Sequence, residues 1–75
     1  MYNKKDLEKA IGHTMKRIRL EHQLKRDFVA TQMGISMALY AKLEQGDVSI
    51  KYSHVMLFCH TVGVDCQYFQ HRLVA

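Results

Sequence analysis

The stretch "GISMALYAKLEQG", residues 34–46, decides the fold. Gly34 is suited to end one helix in the left-handed conformation, and Ser36 is a good N-cap for the next helix. The apolar residues that follow recur at helical spacing, and Gly46 ends the pattern. We therefore predict a helix over about 37–45 that begins after a turn of only a few residues.

A second predicted helix, over about 26–33, lies directly before this turn. Two helices joined by three or four residues that include glycine must cross steeply, as they do in a helix-turn-helix. The later helix then presents its N-terminal, outward face away from the body of the domain. A helix fits the major groove of B-DNA, which is about 12 Å wide, so this spacing suits duplex DNA.

Three further amphipathic helices complete an all-α domain of five short helices without a strand. Hydrophobic spacing places them over about 5–22, 50–62 and 66–73. Asp6, Ser49 and Asp65 are the expected N-caps, and Gly63 is expected to end the fourth helix. Gly12 is a weak point in the first helix, because an interior glycine costs about 1 kcal/mol relative to alanine.

The apolar faces of these helices supply the candidate core. The first four helices and their connections contribute Leu7, Ile11, Met15, Ile18, Leu20, Leu24, Phe28, Val29, Met33, Ile35, Tyr40, Leu43, Tyr52, Val55, Phe58, Cys59 and Val62. In the fifth helix, the apolar residues either close this core or form a dimer surface; they are Tyr68, Phe69, Leu73 and Val74.

Length and charge bound the classes of function. The sequence of 75 residues allows one small domain over residues 1–75, and a chain of about 60 residues buries only about 60% of its unfolded surface. A cleft with two walls is hard to build at this size, and no nucleophile–base motif is present, so we expect no enzyme. Lysine and arginine total 11 against seven acidic residues, and the net charge of +4 suits an anionic partner.

The sequence does not indicate a disulfide, a metal site, a signal peptide or a membrane-spanning segment. Cys59 and Cys66 do not make a disulfide framework, so we expect reduced thiols in a cytosolic protein. The sequence has no Cys-x-x-Cys motif and no paired histidines on one helix face, so no zinc site or cofactor is expected. The N-terminus lacks the apolar region of a signal peptide, and residues 53–64 are too short and too polar to span a bilayer.

Motifs in register along the chain resemble the Cro and lambda-repressor-like helix-turn-helix family, also called the XRE family. The segment "LKRDFVATQMGIS" (24–36) matches the family's Leu-Ser-Gln-x-x-Leu-Ala-x-x-x-Gly-Val-Ser in frame. The segment "MALYAKLEQG" (37–46) matches its x-x-x-Ile-x-x-Ile-Glu-x-Gly, and Ile18-Arg19 and Val62-Gly63-Val64 match two further motifs. The resemblance covers about residues 11–69 without a gap and implies a DNA-binding domain with that core.

Two structural roles follow from the resemblance. Arg19 and Glu44 match the family's ion pair that links the first helix to the end of the third; the alternative is that both are solvated surface charges. Ala30 matches a small residue that lets the second and third helices approach closely.

The resemblance also implies a set of DNA contacts. Contacts to the DNA backbone map to Lys25, Arg26, Ser36, Gln45 and Lys51. Base-reading positions map to Met37, Ala38, Ala41 and Lys42. Lys25 stands where the family prefers Ser or Thr, so a cap worth about 1 kcal/mol is lost while positive charge is gained. A solvated turn is the alternative for Lys25 and Arg26, and we expect Lys16 and Arg17 to form a solvated face.

The expected base-reading face is unusually apolar. Only Lys42 has the hydrogen-bonding chemistry of direct readout, while Met37 and Ala38 suit thymine methyl groups. Specificity would also draw on DNA shape and on the spacing of two half-sites. We therefore expect a transcriptional regulator, a repressor acting as a homodimer on double-stranded DNA. It would work in the prokaryotic cytoplasm or nucleoid, or be encoded by a phage or mobile element. The alternative is a protein-interaction module, such as an antitoxin or phage-type adaptor, that places this apolar face on a protein.

Overall fold

Five α-helices make up the computed structural model, which describes residues 3–74, with side chains through Leu73. The helices are α1 (Lys4–Glu21), α2 (Arg26–Met33), α3 (Met37–Gln45), α4 (Tyr52–Val62) and α5 (Cys66–Val74). Every predicted boundary is confirmed to within two residues, and no residue over 3–74 lies in a strand. Within this range, no helix combines the length and the apolar character needed to cross a bilayer.

The helices pack so that α3 is supported from two sides. α1 packs against α3 and α5, α2 packs against α3 and α4, and α4 packs against α5. The domain measures 33 × 23 × 19 Å. Because its main packing partners are α1 and α2, α3 keeps one long side free.

The core lies where these five helices meet. Its fully buried large side chains are Met15, Ile18, Val29, Tyr40, Leu43, Phe58, Cys59 and Phe69. Phe69 packs edge-on against Phe58, with ring centroids 6.0 Å apart and planes at 74°. Of the two roles left open for α5, Phe69 therefore takes the core role, whereas the side chain of Val74 lies outside the described residues.

Several apolar residues expected on the inner faces are instead exposed, namely Leu7, Leu20, Phe28, Tyr52 and Tyr68. The reason lies in the direction in which each side chain leaves its helix. Each residue advances about 100° around a helix, so Leu20 points away from the core when Ile18 points into it. Phe28 likewise points away from the core, because its neighbour Val29 takes the inward-facing position and is fully buried.

Of the four predicted N-caps, Asp6 and Ser49 are wrong, and two are confirmed. The N-cap of α1 is Asn3, whose Oδ1 accepts the N–H of Asp6 at 2.8 Å. α4 begins at Tyr52 and not at Ile50, since its N-cap Lys51 has an extended backbone, and the N–H of Ile50 donates to Glu8 Oε2 on α1 at 3.3 Å. The confirmed caps are Ser36, which accepts from Leu39, and Asp65, which accepts from Tyr68.

Gly12 is a requirement of the fold and not merely a weak point. A Cβ atom built on it would collide with the carbonyl oxygens of Leu43 and Glu44, at 2.6 Å from the latter. Those oxygens belong to backbone at the end of α3, which cannot move aside as a flexible side chain would. Gly12 therefore lets α1 lie directly against the last turn of α3.

We expect Gly12→Ala to destabilise the protein by about 1–3 kcal/mol, the usual cost of forcing atoms into a packed interior. Helix propensity alone predicts the opposite sign, a gain of about 1 kcal/mol. Urea unfolding followed by circular dichroism measures the change, and Thr31→Ala, at an exposed site in α2, serves as a control expected to be nearly neutral. A gain in stability for Gly12→Ala would contradict the close approach of α1 and α3.

Candidate nucleic-acid interface

The turn between α2 and α3 is fixed by backbone hydrogen bonds and one cap. Gly34 has φ +74°, a left-handed conformation that favours glycine, and its N–H donates to the carbonyl of Thr31 at 3.1 Å. The N–H of Ile35 donates to the carbonyl of Ala30, also at 3.1 Å. Ser36 Oγ then accepts the N–H of Leu39 at 3.0 Å, so α3 begins in a defined direction.

The predicted contact residues of α3 lie on its free side. Tyr40, Leu43 and Glu44 are buried on the inner side of α3. The exposed residues are Ser36, Met37, Ala38, Lys42 and Gln45, and Ala41 between Met37 and Gln45 is half-buried. The structure therefore brings six predicted contact positions onto one outward surface, which we call the α3 face.

Lys25 and Arg26 stand at the start of α2, and both are exposed. Lys25 is the N-cap of α2 and forms no side-chain cap, as its departure from the family's Ser or Thr predicts. The carboxylate of Asp27 partly takes over, since its Oδ1 accepts the N–H of Phe28 at 2.8 Å. This end of α2 thus carries one acidic and two basic side chains.

Lys51 is exposed at the start of α4, where it is the N-cap residue. It lies on the segment that Glu8 holds against α1 through Ile50. Over residues 3–74, no side-chain hydrogen bond or ion pair joins Lys51 to α2 or α3, so its grouping with the α3 face stays a prediction.

The ion pair expected between α1 and α3 is present and buried. Arg19 Nε donates to Glu44 Oε2 at 2.6 Å, and Nη2 donates to Oε1 at 3.3 Å. The third nitrogen, Nη1, donates to the carbonyl of Leu24 at 2.8 Å. Only 5% of Arg19 and 8% of Glu44 are exposed, which excludes the alternative of two solvated charges.

This ion pair also shapes the titration of its neighbours. The hydrogen bond to Glu44 raises the pKa of Arg19 above its ordinary value, so the guanidinium stays charged. Burial strongly raises the pKa of Tyr40, and the nearby Glu44 carboxylate raises it further. Tyr40 therefore remains a neutral core residue, and its hydroxyl has no hydrogen-bond partner within residues 3–74.

Two features of the surface were missed in the sequence. Arg72 on α5 donates to both carboxylate oxygens of Glu21 on α1, each at 2.7 Å, and to the hydroxyl of Tyr68 at 2.8 Å. The hydrogen bonds from Arg72 lower the pKa of Glu21. No sequence signal pairs residues 51 positions apart.

The second feature is a recess beside the α3 face, lined by His13, Lys16, Arg26, Ala41, Glu44 and Gln45.

We expect Arg19→Met to cost about 3 kcal/mol or more in the free energy of unfolding, because it leaves the Glu44 carboxylate buried without its main partner. The double variant Arg19→Met/Glu44→Gln should lose less than Arg19→Met alone. Arg72→Met is the matched control, since it breaks an exposed pair that solvent screens and should therefore cost much less than Arg19→Met. Denaturant titrations of the four proteins measure these values, and equal losses at Arg19 and Arg72 would contradict the analysis.

Comparisons with known proteins place the fold. The clp gene regulator ClgR from C. glutamicum has a similar structure, with a TM-score of 0.87 at 18% identity over 91% of this chain and 88% of that chain. The wild-type restriction-modification controller protein C.Esp1396I gives 0.85 at 18% identity over 91% and 90%. The controller protein C.AhdI from Aeromonas hydrophila gives 0.77 at 14% over 85% and 96%.

No protein-family model matches this sequence, and no curated protein matches it. Identities of 14–18% are low, yet the structures agree over nearly the whole length of each chain. The expected five-helix, helix-turn-helix fold is therefore confirmed, and this chain has the fold of the regulators ClgR, C.Esp1396I and C.AhdI.

Proposed function

We propose that this protein is a sequence-specific, double-stranded DNA-binding transcriptional regulator, and that it represses by covering a promoter as a dimer. In this mechanism α3 enters the major groove while the start of α2 lies against the phosphate backbone. The protein acts without a cofactor and is not an enzyme. A regulator of this kind works in the cytoplasm, where its operator lies.

The observation that carries this proposal is the orientation of α3. Its inner residues are fixed in the core, and Glu44 near its end is tied to Arg19 by two hydrogen bonds. Its outer residues, the α3 face, are exposed at the side where Lys25 and Arg26 begin α2. Insertion into the anionic major groove requires a helix of fixed orientation with cationic side chains beside it, and α3 meets both conditions.

The chemistry of the α3 face indicates how it would read a duplex. The ammonium of Lys42 suits O6 and N7 of a guanine, and Met37 and Ala38 suit thymine methyl groups. Lys25, Arg26, Ser36, Gln45 and Lys51 would contact phosphates or sugars, which position the protein but carry no sequence information. We assign Ala41 to close packing against a base edge, since its methyl group has no hydrogen-bonding capacity.

The structural comparisons support a regulatory role. ClgR is described as a gene regulator, and C.Esp1396I and C.AhdI are described as controller proteins of restriction-modification systems. The net charge of +4 agrees with an anionic partner.

We expect one lysine variant and one arginine variant to separate base recognition from binding to the DNA backbone. Lys42→Ala should change which sequences are preferred, because it removes the one hydrogen-bond donor among the base-reading positions Met37, Ala38, Ala41 and Lys42. Arg26→Ala should weaken binding to all duplexes alike and lower the slope of log affinity against log salt by about 1. Selection from a random duplex pool and fluorescence anisotropy over a salt series measure the two effects, and a uniform loss for both variants would contradict the base-reading role of Lys42.

A protein-interaction module is the second candidate, and the exposure of Met37 at 46% favours it. An apolar α3 face is as well suited to a protein groove as to thymine methyl groups. The two candidates differ at low salt, where a DNA-binding domain with several phosphate contacts holds any duplex. Failure of the wild-type protein to bind random duplexes at about 50 mM salt would favour the interaction module.

Dimerisation is the remaining part of the proposal. An apolar groove of about 160 Å³ runs between α1, α4 and α5, lined by Ile11, Tyr52, Val55, Cys66, Phe69, Gln70 and Leu73. Neither α2 nor α3 contributes to it, so a second copy docked there leaves the α3 face free. Tyr52 is 68% exposed at its edge, and aromatic residues of this kind are enriched at interfaces.

We expect Tyr52→Glu to shift the protein from dimer to monomer without unfolding it, because the substitution places a charge in an apolar contact while leaving the core intact. Sedimentation velocity over a concentration series measures the change. Lys5→Glu, an exposed position on α1 outside the groove, is the control for added negative charge. A wild-type protein that stays monomeric at high concentration would contradict this surface.

A further inference from the structure

The recess beside the α3 face, which we call the notch, is built from three helices. α1 contributes His13 and Lys16, α2 contributes Arg26, and α3 contributes Ala41, Glu44 and Gln45. Its volume of about 240 Å³ corresponds to about eight waters at about 30 Å³ each. The notch is therefore large enough for a phosphodiester group with ordered water.

The charge of the notch is positive, although Glu44 lies in its wall. Both oxygens of that carboxylate already accept from Arg19, at 2.6 and 3.3 Å, so the buried pair is neutral overall. Arg26 Nε lies 3.8 Å from Glu44 Oε1, which is too far for a hydrogen bond and leaves its N–H groups for an outside acceptor. Lys16 and Arg26 then supply two uncancelled charges, and the side chains of His13 and Gln45 can add further hydrogen-bond donors.

The notch is continuous with the surface proposed to bind DNA. Ala41 and Gln45 belong both to its wall and to the α3 face. A duplex that receives α3 in its major groove must carry a phosphate strand past the edge of that face. The notch lies at this edge, open to solvent, with its cations on the two helices that flank α3.

We propose that the notch binds one phosphate of the DNA backbone, with Lys16 on α1 and Arg26 on α2 as its charged contacts. This inference rests on the proposed function and adds α1 to the DNA-binding surface. From the sequence, we expect Lys16 and Arg17 to lie together on a solvated face. In the structure, Lys16 lines the notch and Arg17 does not.

Arg17 belongs to another side of α1. It does not line the notch. The pKa of Glu21 is lowered chiefly by hydrogen bonds from Arg72 and also by the charge of Arg17, one helical turn before it. Arg17 therefore faces the contact between α1 and α5. Lys16 and Arg17 are a matched pair, since both are exposed cations on one helix and differ mainly in which way they face.

The test measures the affinity of the full chain for a random 20-base-pair duplex by fluorescence anisotropy, from about 50 to 300 mM salt. Each phosphate contact contributes about 0.9 to the slope of log affinity against log salt. We expect Lys16→Ala to lower this slope by about 1 and to weaken binding about tenfold at the lowest salt. Arg17→Ala removes the same charge from the protein and should leave the slope within error of wild type.

Lys16→Arg retains the charge and should retain the slope, and thermal unfolding of each variant confirms that it is folded. Equal slopes for Lys16→Ala and Arg17→Ala would overturn the notch as a phosphate site while leaving the proposed function standing. A wild-type protein that fails to bind the duplex at about 50 mM salt would overturn the proposed function, and the notch with it.

Discussion

The buried ion pair of Arg19 and Glu44 is the interaction on which the rest of the structure depends. Arg19 joins three parts of the chain, because it also donates to the carbonyl of Leu24 in the connection before α2. Burying two charges costs desolvation energy that the pairing offsets only in part, so such a pair adds little net stability. Its effect is on geometry, since it fixes the angle of α3 relative to α1 and keeps the opposite side of α3 exposed.

The same contact explains an otherwise costly residue. Gly12 weakens α1 as an isolated helix, yet only glycine lets α1 approach the carbonyl oxygens at the end of α3. Gly46 lies under the same constraint, because a Cβ there would stand 2.6 Å from the Cα of Lys9. The ion pair and the two glycines thus act together, and α1 serves as the platform on which α3 is set.

How much of this could be read in the sequence depends on the distance over which each signal acts. The turn at Gly34 and Ser36 and the helix ends were predictable, because capping and left-handed glycine are local effects. The Arg19–Glu44 pair was reached only through the family resemblance. The need for Gly12, the extended segment at Ile50 and the contact of Arg72 with Glu21 were not predictable, since each depends on a partner more than 25 residues away.

The apolar character of the α3 face has a consequence for how specificity would arise. Because Lys42 is the one hydrogen-bond donor among its base-reading positions, the face supplies few of the bidentate contacts that distinguish bases. Affinity would then come mostly from the backbone contacts around it, from Lys25 and Arg26 and from the notch, and these are indifferent to sequence. If the protein acts as the proposed dimer, discrimination would depend on the spacing and deformability of two half-sites. A fixed α3 angle matters most in such a protein, because a helix that reads few bases selects its site by where it is held.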